Sequence, residues 1–412
     1  MITRHTCPNG VRVVLEKIPT VRSVAIGVWI GTGSRFEVPE NNGVSHFLEH
    51  MFFKGTATRS AREIAESFDS IGGQVNAFTS KEYTCYYAKV LDTHAPRALN
   101  VLSDMFFNSA FDEQELLKEK NVVLEEIKMY EDTPDDIVHD LLSRASFHQH
   151  SLGYPILGTE NTLNTFTGQT LRNYMKDYYT PENVVISVAG NVEESFIKEI
   201  EDLFGSYSGS RMASSLQVPV FHSQKIARKK ETEQAHLCLG FPGLSLKDPD
   251  TYSLIVLNNI FGSSMSSRLF QEVREQRGLA YSVFSYHSAY KDNGLFTIYG
   301  GTAPNQLDEL YDTVTMIVND LQDNGITDKE LVNSKEQIKG SLMLSLESTN
   351  SRMSRNGKNE LILNYHRSLD EMVQLIDGVT KETVDSLIEK IFSKECSASL
   401  VSPAGELPKG LQ

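Results

Sequence analysis

The sequence predicts an α+β fold built twice, as two domains of similar fold, each a mainly antiparallel β-sheet packed with α-helices. Three observations carry this. At 412 residues the chain exceeds one ordinary hydrophobic core and divides into units of about 200 residues. Short runs rich in Val, Ile and Tyr alternate with longer segments of helical periodicity. The order of these elements then recurs in the second half, where 302-TAPNQLDELY echoes 93-THAPRALNVL, each following a strand and opening a helix with an Ala-Pro step.

The elements follow in order. VRVVLEKIP from Val11 and SVAIGVWIGTG from Ser23 read as strands, broken at Pro19 and Gly31. The segment TRSAREIAESFDSIGG from Thr58 places Ile64, Phe68 and Ile71 at helical spacing and stops at Gly72-Gly73. A long β stretch follows from Gln74 to Val90, and Ala95–Asn108 and Glu113–Asp132 read as helices. NVVISVAG from Asn183 is a buried strand, and Val192–Phe204 an amphipathic helix. Between Gly205 and Gln224 the texture turns Ser/Gly-rich without periodicity, which predicts a linker, with domains at 1–210 and 227–412 around residues 211–226. Beyond it come a strand (HLCLGFPG), a helix (TYSLIVLNNIFG), a β pair from Tyr281 to Tyr299 and a helix from Asn305.

The bulk numbers exclude several classes of function. A net charge of −15 argues against nucleic-acid binding, which needs a clustered Lys/Arg surface. Cys7, Cys85, Cys238 and Cys396 form no CxxC pair, so buried thiols in a reducing compartment are expected rather than a disulfide framework. No apolar run approaches the roughly 18 residues of a membrane span, and MITRHTCPNGVRVVLEK lacks a signal-peptide apolar core. The expectation is a cytoplasmic protein with neither nucleic acid nor membrane as partner.

One segment breaks the apolar pattern. VSHFLEHMFFKGT, starting at Val44, sets His46 and His50 four apart with Glu49 before the second. On a helix, positions i and i+4 project about 40° apart, so both imidazoles point one way and can share a zinc ion. Glu49 then lies close enough to address a metal-bound water without ligating. The order H-x-x-E-H inverts the better-known H-E-x-x-H. A catalytic zinc needs a third protein ligand and an open position. EKNVVLEEIKMYED supplies Glu119 and Glu126, seven apart and on one helical face with Val122 and Val123 between them. Carboxylates on such a face are costly unless paired or metal-bound. One can ligate while the other orients a ligand from outside. Glu115, Glu125 and Glu131 read as solvated surface.

HFLEH followed by a glutamate 76 residues after its second histidine resembles the pitrilysin/insulinase (M16) family of zinc peptidases, its two-domain processing-peptidase branch above all. The resemblance runs through NAFTSKEYTCYY, EKNVVLEEI, LGYPILGT and the linker to VREQRGLAYSV. It implies a zinc-dependent endopeptidase whose two domains form half of a clamshell chamber, with one zinc per chain held by His46, His50 and Glu126. Glu49 is then the general base and Glu119 a carboxylate behind the ligands. It further implies Arg274 and Tyr281 as stabilisers of the tetrahedral oxyanion, reaching the zinc of a partner subunit in a homodimer with shared active sites. Unfolded peptides are the implied substrates, laid as an added strand along QVNAFTS with Asn76 and Ala77 beside the scissile bond. Phe53 would wall the residue after the cut, and Asp136 and Asp140 would face an arginine before it. The rival implication is a non-catalytic scaffold or partner subunit, as some family members are. Members of that kind have usually lost parts of the zinc motif, which is whole here.

Overall fold

The computed structural model describes residues 2–210 and 216–412. Residues 211–215 of the expected linker lie outside the described residues; the described remainder of 205–224 carries no helix or strand. The chain forms two compact units, Met1–Lys128 with Pro155–Leu216 and Leu344–His366, and Met129–Tyr154 with Gln217–Met343 and Arg367–Gln412. The units are therefore discontinuous, whereas the texture of the sequence had suggested one cut near the linker. The physical reason lies in two helices that cover a sheet other than that of their own half of the chain.

The first unit holds strands β1 (Ile2–Thr6), β2 (Arg12–Lys17), β3 (Ser23–Ile30), β4 (Gln74–Thr79), β5 (Thr84–Leu91) and β6 (Val184–Gly190) in the order β1-β2-β6-β3-β5-β4. The β2–β6 pair is parallel and every other pair antiparallel. β3 and β6 are buried along almost their whole length, which matches their continuous Val/Ile/Ala runs. The long β stretch read from Gln74 to Val90 is a hairpin, turned at Ser80–Tyr83 by the Ser80 N–H donating to the Tyr83 carbonyl at 2.8 Å. The helix expected from Val192 begins at Phe196 and ends at Phe204.

The second unit holds β7 (Lys225–Lys229), β8 (Ala235–Pro242), β9 (Ala280–Ala289), β10 (Gly294–Thr302) and β11 (Ser397–Ser402) in the order β7-β11-β8-β10-β9. Again one pair, β7–β11, is parallel and the rest antiparallel. Strand for strand this repeats β2-β6-β3-β5-β4, with β1 as an addition to the first sheet.

The exchanged helices obey the same repeat. Helix Thr349–Lys358 packs Met353 on the first sheet against Trp29, Ala25, Val185 and Ala189. Helix Pro134–Phe147 packs Ile137, Val138 and Leu142 on the second sheet against Cys238, Leu295 and Val401. Ser187 on β6 donates to the Met353 carbonyl at 2.7 Å, and Ser399 on β11 donates to the Val138 carbonyl at 2.6 Å. Met353 and Val138 are each the fifth residue of their helix. The fit is tight at Gly357, where an added Cβ would stand 2.3 Å from the Trp29 indole nitrogen.

Candidate metal centre

Helix Val44–Met51 carries the motif, with Val44, Phe47, Leu48 and Met51 in the core of the first unit. Its start is fixed by backbone. Gly43 adopts φ +93°, and an added Cβ there would meet Gly158 Cα at 2.7 Å. The first turn leaves N–H groups without intrahelical partners. The buried Glu37 carboxylate accepts from the Gly43 N–H at 2.8 Å, the Ser45 N–H at 2.9 Å and the Asn42 amide at 2.9 Å. Burial pushes the Glu37 carboxyl up, and these donors oppose it. The sequence reading missed Glu37; an acidic residue just upstream of a helix start was the only signal.

His46 and His50 converge. Their Nε2 atoms lie 3.2 Å apart, and Glu126 Oε2 lies 3.5 Å from His50 Nε2 and 3.7 Å from His46 Nε2. Donors at about 2.0–2.2 Å from a tetrahedral zinc ion stand about 3.3–3.6 Å from one another, and edges of 3.2, 3.5 and 3.7 Å come within about 0.1 Å of that range. The second nitrogens agree with this use. Glu119 Oε1 lies 2.8 Å from His50 Nδ1, which sets the proton there and turns the Nε2 lone pair to the centre. His46 Nδ1 is buried without a hydrogen-bond partner among the described residues, so packing alone orients that ring. Burial, then the neighbouring His50, hold the His46 pKa at about 3, keeping its lone pair free.

Both carboxylates come from helix Glu113–Glu131. Glu119 and Val123 are buried, while Val122 is half exposed and off this face. Glu119 also accepts from Lys54 Nζ at 2.6 Å. Burial alone would raise the Glu119 pKa, but the bonds from His50 and Lys54 overcome it and the net shift is downward. The same bond raises the His50 pKa against the pull of burial. Glu115 and Glu125 pair with Lys118 and Lys128, and Glu131 pairs with Arg228, as solvated or half-exposed surface.

Glu49, half-buried beside the triangle, accepts from Thr79 Oγ1 at 2.5 Å. Burial raises its pKa, partly offset by Thr79 and His50. Thr79 ends β4, the open edge of the sheet. On that strand Asn76 and Ala77 pair with Tyr87 and Tyr86, and the Ala77 N–H donates to Asn76 Oδ1 at 2.8 Å. Phe53 is half-buried against the core just past the motif helix. Lys54 and Thr79 were not singled out in the sequence; Lys54, four beyond His50, continued the spacing of the motif.

The other expected site residues belong to the second unit. Arg274 stacks its guanidinium 4.5 Å from the ring centre of Tyr281 and 4.6 Å from that of Phe270. Tyr281, on the edge strand β9, is 79% exposed. Asp136 is exposed and Asp140 half-buried on helix Pro134–Phe147. His139 of that helix is half-buried with Nδ1 2.8 Å from the Tyr286 hydroxyl.

Two sheets of one plan, one of them flanked by a His/His/Glu cluster on an H-x-x-E-H helix, define a peptidase-type scaffold with a set of metal-type donors beside one sheet. The comparisons agree with that class. The model of the insulinase family (peptidase family M16) matches residues 12–160, and that of the M16 inactive domain matches residues 165–338. The chain belongs to the M16 family. It is 67% identical over 408 residues to the uncharacterised zinc protease YmxG of Bacillus subtilis, covering 99% of this chain and 100% of that protein. An uncharacterised zinc protease of Streptomyces coelicolor is 40% identical over 411 residues, covering 98% and 90%. Among solved structures, a protease from Helicobacter pylori superposes with a TM-score of 0.90 at 23% identity over 98% of this chain and 99% of that one. An M16 inactive domain from Pseudomonas fluorescens gives 0.91 at 20% identity, covering 99% of each chain. These two likenesses bear on the fold alone.

Proposed function

We propose that this chain is a zinc-dependent endopeptidase of unfolded peptides, with His46, His50 and Glu126 as zinc ligands and Glu49 as general base. The observation that carries the reading is the donor triangle, with edges of 3.2, 3.5 and 3.7 Å and the Glu49 carboxylate beside it. When bound, zinc supplies a Lewis acid that acidifies water and polarises a carbonyl.

The protein's own groups do the rest. Glu49 takes the proton of the attacking water and passes it to the leaving amine nitrogen. The Thr79 hydroxyl occupies one of its oxygens and fixes the carboxylate, leaving the other oxygen for the proton. A carboxylate whose pKa is raised by burial is a stronger base than an exposed one. Glu119, kept ionised by Lys54, holds His50 in the ligating tautomer. A peptide adding to the open edge of β4 gains main-chain bonds once the Asn76 side chain releases the Ala77 N–H. That end of the strand also bears Thr79, so the added peptide runs past Glu49. Phe53 walls the pocket beyond the cut, and Asp136 and Asp140 select an arginine before it.

Arg274 and Tyr281 steady the oxyanion in the active site of a second copy, in a homodimer. Their mutual stacking and the exposure of Tyr281 support a pair held ready for a group outside its own unit. The test has two arms. Removing zinc with a chelator should abolish cleavage of a quenched peptide, and zinc should restore it; activity that survives a metal-free preparation overturns the reading. Mixing Glu49→Gln with Arg274→Ala chains should recover activity that neither has alone, and no recovery rejects the shared site.

A further inference from the structure

A second group of metal-type donors lies on the side of the first unit where β1 meets helix Phe196–Phe204, and the mechanism uses none of it. We propose that His5, Cys7 and Glu201 form a second metal site, for a zinc-class cation, which clamps strand β1 to helix Phe196–Phe204. The three donor atoms, an imidazole nitrogen, the thiol sulfur and a carboxylate oxygen, all lie within 4.8 Å of one another. His5 Nε2 and Glu201 Oε2 are in contact at 2.5 Å.

An ion pair alone explains His5 and Glu201. It does not explain what stands behind them. Cys7 is only 3% exposed, and its thiol sits near the Glu201 carboxylate, which together with burial opposes loss of its proton. The Tyr207 hydroxyl, close enough to Cys7 for that sulfur to affect its ionisation, is buried without a hydrogen-bond partner among the described residues. An apolar filling would suit a lone buried cysteine, but here thiol, imidazole and carboxylate converge on one spot. A cation there lets the thiol ionise and gives His5, Cys7 and Glu201 a common partner.

The donor set selects the ion. Calcium and magnesium take oxygen ligands, whereas zinc accepts sulfur at about 2.3 Å and nitrogen or oxygen at about 2.0–2.2 Å. Seating it requires the His5–Glu201 contact to open to about 3.3 Å. Both side chains have room to do so, with 37% and 25% of their surfaces exposed, and the solvent side supplies the remaining position. The thiol proton leaves for solvent as the ion enters, and the neutral His5 ring carries its proton on Nδ1 so that Nε2 is free to ligate.

The placement gives the clamp a purpose. β1 has five residues, lies at the edge of its sheet and, among the described residues, pairs with β2 alone and has no counterpart in the second unit. A cross-link from its end to a neighbouring helix would keep so short an edge strand from fraying. The stoichiometry would then be two metal ions per chain where the primary motif accounts for one.

Cobalt(II) titration of the full chain tests this, because the primary cluster has no sulfur. In an Glu126→Gln chain, which lacks the primary site, one equivalent of cobalt should bring up a thiolate-to-cobalt charge-transfer band in the near ultraviolet. The band should vanish in Cys7→Ser and weaken in Glu201→Gln, both folded by circular dichroism, while peptide cleavage by the single Cys7→Ser chain stays unchanged. Zinc should slow hydrogen exchange of the β1 amides at least tenfold in the Glu126→Gln chain and not in its Cys7→Ser derivative. If Cys7→Ser fails to fold, His5→Ala takes its place in both readouts. No band, or a band that survives Cys7→Ser, overturns the proposal and leaves Cys7 a neutral buried thiol.

Discussion

The two units answer the same topological problem and differ in chemistry. β2-β6-β3-β5-β4 and β7-β11-β8-β10-β9 share strand order, sense of pairing and a covering helix drawn from the other half of the chain. In the first unit the helix after β3 reads VSHFLEHM, and in the second the helix after β8 reads TYSLIVLN, with Leu254, Val256 and Leu257 buried. The second carboxylate-bearing helix diverges in the same way. Glu119 lies six residues beyond Glu113, where its helix begins, and Ser334 lies six beyond Asp328, where the corresponding helix begins. Both positions are buried against the helix that follows β3 or β8, Glu119 on His50 and Ser334 on the Val256 carbonyl at 3.4 Å. By the same count Glu126 corresponds to Ser341. One scaffold thus carries a His/His/Glu donor cluster in one unit and serine or apolar side chains at the matching positions of the other, which is why fold alone never assigns the activity.

The sharpest way to break this comparison is to remove chemistry from one unit at a time. Glu49→Gln should cut kcat by about 10²–10⁴-fold, the usual yield of general acid–base catalysis, with zinc content unchanged. Glu126→Gln should lose the zinc ion held by the motif helix, and with it activity, whereas Ser341→Ala, at the matching position, should lose neither. A Ser341→Ala chain without activity would mean that the second unit takes part in chemistry by a route the matching positions do not disclose. Zinc content by mass spectrometry and cleavage of one fluorogenic peptide decide all three.

The covering helices come next. Met353 and Leu142 are both fully buried against their sheets, and truncation of such residues costs about 2–5 kcal/mol. Met353→Ala should speed hydrogen exchange along β3 and β6 and weaken zinc binding with it. Leu142→Ala should act on β8 and β11 and leave zinc affinity intact. Equal loss of protection in both sheets from either variant would show that the units do not open separately.

A smaller effect is expected at Lys54. Its bond keeps Glu119 ionised, and partners one shell out from a metal usually contribute 10–100-fold in affinity. Lys54→Met should therefore weaken zinc binding by about that factor, and Ser334→Ala should not change it. Competition with a coloured chelator gives both numbers; an unaltered affinity in Lys54→Met would make the lysine a surface ion pair.

Much of this contrast was legible in the sequence, and what was not has physical causes. Periodicity located β2, β3, β6, β8 and the motif helix, because buried strands and amphipathic helices leave a pattern in their own residues. The i, i+4 histidines and the glutamates seven apart were legible for the same reason, since helix geometry ties spacing to direction. The strands β1, β7 and β11 were missed, being short or resting on polar residues such as Ser397 and Ser399, which are buried only through their neighbours. Glu37, Lys54 and Thr79 act across loops, where spacing along the chain carries no geometry. The exchange of helices was invisible because Ile137, Val138 and Leu142 declare an apolar face without naming the sheet it will cover.

The mildest test separates the units by proton. In the second unit burial holds His139 and His287 near a pKa of about 4, with Asp135 near the first and the Leu244 backbone on the second opposing it. Unfolded, each would protonate near 6.5. Between about pH 6.5 and 4 the unfolded chain therefore binds more protons than the folded one, and stability falls as the pH drops through that window. In the first unit Glu360, held near 2 because bonds from His366 and Arg4 outweigh the upward push of burial, shifts the other way. Its contribution is complete above about pH 4.5 and is lost only as the pH falls from there toward 2. Acid should thus loosen β8, β10 and β11 before it removes the Glu360 anchor. Hydrogen exchange at pH 6.5, 5.5 and 4.5 on zinc-loaded protein should show the second sheet losing protection first. His139→Gln, which keeps a polar partner for Tyr286 and cannot take up the proton, should flatten that slope. An unchanged slope would remove His139 from the account and leave His287 to carry it.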